Sequence, residues 1–153
     1  MSGRMFSPWL TARVQFVLAA VFVVAGVGKI MDPPGFAHEI HNYGLVPGVA
    51  INVLAIVLPW IEVVAGLALF VGLARRSAAR IFGVLLLVFI GALSINLVRG
   101  RPVDCGCFGG PRVPKTDAER LGDMRVGIAR DIGLLLLVGQ VLAATRREER
   151  DRR

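Results

Sequence analysis

The side chains with redox chemistry are Cys105 and Cys107, the two cysteines of the chain, in the stretch VDCGCFGG. Two residues of chain span at most about 7.2 Å, so the thiols are never far from bonding range. Gly106 makes the required bend feasible, because it takes positive φ without a Cβ clash. A disulfide across so short a loop removes little unfolded-state entropy, and a tight ring departs from relaxed geometry. The spacing therefore suits exchange better than it suits a structural clasp. Reactivity follows the thiolate fraction, which Arg99 and Arg101 raise and Asp104 opposes. Pro102 before the pair, and FGG and Pro111 after it, indicate an irregular exposed loop that a partner can approach.

Two histidines, His38 and His41, offer a second chemistry. Spaced H-x-x-H, they would complete a two-thiolate, two-imidazole set for Zn²⁺ with Cys105 and Cys107, or leave the thiolates alone for Cu⁺. The simpler reading makes them interfacial polar side chains on the short amphipathic segment FAHEIHNYGLVP. Glu62 is the third candidate. It lies in an otherwise uncharged apolar run from Val46 to Leu73, and an ionisable group inside a membrane is costly unless protonated or paired. Its two readings are a proton carrier and a structural partner within a bundle. Lys29, Asn96, Arg130 and Asp131 are polar groups at the ends of other apolar runs. Adjacent in sequence, Arg130 and Asp131 are expected to diverge and to serve separate partners, such as Lys29 for Asp131 and an acid or a lipid phosphate for Arg130.

The elements that must position these residues are membrane spans. Hydrophobic residues make up 55% of the 153 residues and charged residues 19%. Uncharged runs approach ~20 residues, the length needed to cross a hydrocarbon core about 30 Å thick. Four spans are expected, near 10–29, 49–72, 79–98 and 126–145, in a single all-α domain over 1–153 with a charged tail at 146–153. A soluble four-helix bundle would need polar faces at helical period, which VLLLVFIGALSINLV lacks. The first apolar run ends in GVGKIMDPP rather than a small-residue cleavage site, so it is read as a retained helix, not a signal peptide. The glycines Gly26, Gly28, Gly66, Gly83, Gly91, Gly133 and Gly139 are expected to serve close helix packing. Pro59 removes one backbone bond of the second span, near Glu62.

The net charge of +7 belongs to loops and ends, where basic residues sort topology and meet anionic membrane lipid; it does not indicate nucleic acid. Four spans put both termini on one side. That side carries ten Lys and Arg against eight on the other, and its short loop LARRSAAR has three arginines and no acids. The termini are therefore expected in the cytoplasm, with the cysteine loop outside the plasma membrane, where thiols are oxidised. On this reading Glu62 lies roughly 20 Å deep, well below Lys29 at the outer end of the first span.

GVGKIMDPPGFAHEIHNYGLVP, LPWIEVVAGLALFVGL, INLVRGRPVDCGCFGG and ARDIGLLLL, in this order, resemble the methylamine-utilisation protein MauE family, within the wider DoxX-like group of four-helix membrane proteins. The resemblance runs from about Val14 to Ala144. It implies a role in maturing methylamine dehydrogenase, whose secreted small subunit carries many disulfides. It also implies that Cys105 and Cys107 are the redox pair, Glu62 the embedded glutamate, and Lys29 and Arg130 the charged helix ends; Asp131 stands where Asn is expected. Membrane enzymes that make disulfides with a quinone use two cysteine pairs, and this chain has one. Its pair must be reset by a cofactor, such as a quinone, or by another protein; the partner expected in exchange is an extracytoplasmic thioredoxin-like protein or a disulfide-bearing client. The competing readings are a non-catalytic subunit of an oxidoreductase assembly and the metal-binding protein described above.

Overall fold

The computed structural model describes residues 8–104 and 114–151. Five helices occupy them: α1 (Pro8–Met31), α2 (Pro33–Tyr43), α3 (Gly48–Phe70), α4 (Arg75–Val98) and α5 (Asp117–Asp151). All but α2 are long and apolar enough to cross a membrane, and large apolar side chains such as Val64, Leu87 and Leu136 are exposed around them. Water would penalise such a surface and lipid does not. The chain is an all-helical, multi-pass membrane protein.

Local chemistry sets the helix ends. Asp32 caps α2, its Oδ1 accepting from the Gly35 N–H at 3.0 Å, with prolines in the first turn. Proline costs nothing there, since its missing N–H would have been unsatisfied anyway. Gly44, at φ 61°, closes α2. The segment FAHEIHNY is thus a helix of its own, with Phe36 and Tyr43 buried. At the end of α4, Gly100 (φ 63°) lets its own N–H reach Leu97 O and the Arg101 N–H reach Asn96 O, at 3.1 and 3.0 Å. This double closure is the Schellman motif. Thr116 and Glu119 bond reciprocally at the start of α5: Glu119 Oε2 accepts from the Thr116 N–H, and Thr116 Oγ1 from the Glu119 N–H. Such a capping box starts a helix well before the apolar run begins.

Helix α1 lies against α3 and α4 against α5, and the two pairs close through the α3–α4 and α1–α5 seams. The main core contains Leu18, Phe22, Leu69, Phe82 and Val141, with the Phe22 and Phe82 rings stacked at 3.8 Å. A second core layer joins Tyr43, Leu93, Val103 and Met124, toward the end of α4 from which the cysteine segment departs.

Close approach of α1 and α3 sets their register. A Cβ on Gly26 would lie 2.9 Å from Pro59 O, and one on Gly66 3.2 Å from Ala19 O. Only glycine permits backbones this near. Not every glycine has this role: Gly91, Gly133 and Gly139 have open space at the Cβ position. The close helix packing expected of them is not made among the described residues.

The fourth spanning helix reaches further at both ends than its apolar run, 126–145. The first part of the tail, through Asp151, continues α5, and Glu148 and Glu149 pair with Arg75 and Arg76 at 2.8 and 2.6 Å. Most of its residues remain exposed, and the two ion pairs tether it to the start of α4. At 35 residues, α5 rises about 52 Å, so it extends past the hydrocarbon core.

Candidate functional site

The α1–α3 register brings Lys29 to Glu62. Lys29 Nζ donates to both carboxylate oxygens of Glu62, at 2.8 and 2.9 Å. The residues are 3% and 1% exposed. The rings of Phe36 and Phe89 lie 5.1 and 5.0 Å from the ammonium, within cation–π range. One side chain thereby draws together α1, α2, α3 and α4. The depths inferred from sequence, with Glu62 far below Lys29, are corrected: the first half of α3 runs on past the end of α1, beside α2. Counting residues from each helix end misplaced the pair because the helix ends are not level.

Arg130 and Asp131 face the same place. Arg130 Nε and Nη2 donate to Asp131 Oδ1, at 3.0 and 2.7 Å, and Asp131 is buried. The two expected to diverge bond to each other, and Arg130 has a further contact besides. Backbone directions do diverge at adjacent helical positions, but the long guanidinium arm folds back over its neighbour. Lys29, Glu62, Arg130 and Asp131 line one cleft with Phe22, Leu86, Phe89 and Leu134. Its volume is ≈ 30 Å³, room for roughly one or two waters. Small-molecule pockets are about ten times larger. Two cations and two carboxylates make the cluster formally neutral, which is the condition for burying charge in a bundle.

Cys105 and Cys107 lie outside the described residues, but the chain leading to them is defined. After the Gly100 turn, Arg101 reaches the α2 end, its Nη1 2.8 Å from where a Gly44 Cβ would stand. Val103 is 4% exposed and packs with Tyr43, Leu93 and Met124. Asp104 faces Arg120 of α5 at 3.7 Å. The backbone two residues before Cys105 is thus held by α2, α4 and α5 together. Phe89, which touches the charge cluster, lies nine residues before the end of α4, so the cluster sits roughly 13 Å beneath the helix end that launches the cysteine segment. His38 and His41 are exposed on α2. No cluster of three or more metal-ligating side chains occurs among the described residues, and the set expected with the histidines includes the two cysteines.

Asn96 is a buried polar group of the bundle that its place in the sequence only partly signals. It is fully buried, its Nδ2 donates to Ala92 O at 3.0 Å, and its Oδ1 has no partner among the described residues. The signal was an amide near the end of an apolar run, four residues before the helix-stop glycine Gly100.

The model of the family described as "Methylamine utilisation protein MauE" matches residues 7–144. The chain belongs to the MauE family. The matched range includes the charge cluster and the cysteine segment of this MauE-family protein. It is 36% identical over 109 residues to the methylamine utilization protein MauE of Paracoccus denitrificans, covering 71% of this chain and 59% of that one. It is 31% identical over 127 residues to the protein of that name from Methylophilus methylotrophus, covering 82% and 65%. It is also 36% identical over 102 residues to that of Paracoccus versutus, covering 66% and 55%. The chain therefore spans less than two thirds of the length of these relatives. No solved structure matches it.

Proposed function

We propose that this MauE-family protein is a membrane-embedded thiol–disulfide exchange protein that assists the maturation of exported, disulfide-bearing proteins, in the context of methylamine utilisation. The observation that carries this reading is the burial of Val103, two residues before Cys105 in the chain. The segment that leads to the pair, through Val103 and Asp104, is held by three helices at one end of the bundle, which supports a defined departure point for the pair. The proposed orientation puts that end outside the plasma membrane and both termini in the cytoplasm.

Exchange starts from the oxidised pair. A client thiolate attacks one sulfur of the Cys105–Cys107 disulfide, a mixed disulfide forms, and the other cysteine leaves as thiolate. A second client thiolate then attacks the client sulfur of the mixed disulfide and releases the reduced pair. The client loses two electrons and two protons, and the pair gains both. An oxidised extracytoplasmic thioredoxin-like protein accepts the two electrons by the same exchange in reverse and restores the disulfide. Arg99 and Arg101 favour the leaving thiolate, and the Arg120 guanidinium facing Asp104 offsets the nearest opposing charge.

In this account the charge cluster holds the frame. Both Glu62 oxygens are occupied by Lys29, so carrying a proton through Glu62 requires opening that pair. The register-locking role needs no such step. The test is the disulfide content of exported clients, the small subunit of methylamine dehydrogenase first, in cells carrying Cys105→Ser/Cys107→Ser. Fewer correct client disulfides are expected; unchanged content at equal protein level would sink the proposal.

A further inference from the structure

A second, larger cleft lies at the opposite end of the bundle, where α3 ends and α4 begins. It has a volume of ≈ 380 Å³ and is lined by Ala12, Gln15, Phe16, Phe70, Gly72 and Arg75, with Val71 between them. Three of its features point to a ligand. Gln15 is 8% exposed; its Nε2 donates to Leu69 O at 2.8 Å, and its amide oxygen has no partner among the described residues. That oxygen keeps access to the cleft, where it can accept a hydrogen bond from a ligand. Arg75 gives one Nη2 bond to Glu148 and keeps its remaining guanidinium donors uncommitted among the described residues. Behind it, Ala74 at the start of α4 offers no side-chain cap, so the first-turn N–H groups add positive potential to the cleft. Finally, the Phe16 and Phe70 rings meet edge to face at 5.1 Å and stand half-exposed on the outer surface.

We infer that this cleft binds a phospholipid whose head group carries both a phosphate and a hydrogen-bond donor, of the phosphatidylglycerol type. The phosphate meets Arg75, a head-group hydroxyl supplies the donor that the Gln15 oxygen lacks, and an acyl chain lies along Phe16 and Phe70. The location suits a head group, because the first arginine after the apolar run of α3 marks the membrane boundary. It does not suit an electron acceptor for the cysteines. The 24 residues of α4 separate this end from the cysteine segment by roughly 35 Å. The inference is independent of the proposed thiol chemistry.

Native mass spectrometry of the full chain in detergent tests it, with phosphatidylglycerol, phosphatidylcholine and free glycerol phosphate as probes. Phosphatidylglycerol should be retained at least about tenfold more strongly than phosphatidylcholine, which has no head-group donor, and Gln15→Leu and Arg75→Gln should each remove about that factor. Ala12→Leu, which fills the cleft without changing charge, should also release the lipid. Arg80→Gln, outside the cleft, and Glu148→Gln, which frees Arg75, should leave binding intact. Equal retention of the two lipids, insensitivity to Ala12→Leu, loss on Glu148→Gln, or equal competition by glycerol phosphate would each overturn it.

Discussion

Lys29 of α1 and Glu62 of α3 form a two-oxygen ion pair, at 2.8 and 2.9 Å, in the buried centre of the bundle. The desolvation of both charges is offset only while each has the other, which makes the pair a register pin rather than a simple source of stability.

Removing one partner should therefore hurt more than removing both. Lys29→Met or Glu62→Leu alone should cost about 3–5 kcal/mol, because an uncompensated charge stays buried. The double variant should recover most of that loss. Unfolding of the detergent-solubilised protein, read as a double-mutant cycle, checks this; additive losses would refute the pin.

The same asymmetry applies to the second pair. Arg130→Gln leaves the buried Asp131 carboxylate without its guanidinium, whereas Asp131→Asn keeps a neutral group of the same shape beside a half-exposed arginine. Arg130→Gln should be the more destabilising change in the same unfolding assay.

Gly26 and Gly66 should resist enlargement. A Cβ at Gly26 would stand 2.7 Å from Val63 Cγ2 as well as 2.9 Å from Pro59 O. Gly26→Ala should cost about 1–3 kcal/mol by forcing α1 from α3. Gly83→Ala, where the nearest atom is 3.5 Å away, should be tolerated. Equal melting temperatures for the two variants would contradict the close-approach account.

Orientation has its own test. In intact cells a membrane-impermeant maleimide should label Cys105 and Cys107 only after reduction. A cysteine introduced as Arg150→Cys in a Cys105→Ser/Cys107→Ser background should be labelled only after lysis. The reverse pattern would invert the topology.

Much of the fold was legible because membrane spans announce themselves by run length: the uncharged runs at 14–28 and 81–98 lie within α1 and α4. The full reach of α5 was hidden, since its first turns are polar and its start depends on the Thr116–Glu119 box rather than on hydropathy. Lys29, Glu62, Arg130 and Asp131 were each recognisable as costly groups for a membrane segment. Their convergence was not, because it depends on how far α1 and α3 slide past one another. That slide is set by two glycine contacts between helices, which no local pattern encodes. The Arg130–Asp131 bond was missed for a smaller reason: side-chain length outweighed the divergence of neighbouring helical positions.

The central claim is that Cys105 and Cys107 exchange disulfides with exported proteins. The most direct measurement uses Cys105→Ser and Cys107→Ser separately and displays each on non-reducing gels after rapid thiol trapping. The lone thiolate of a single variant can still attack a disulfide of an exported partner, displacing one partner sulfur as thiolate, and no second cysteine is left to resolve the product; at least one single variant should therefore accumulate a reductant-sensitive adduct with an exported disulfide-bearing protein, absent from the double variant. Neither variant forming an adduct, with client disulfides at normal levels, would contradict the account.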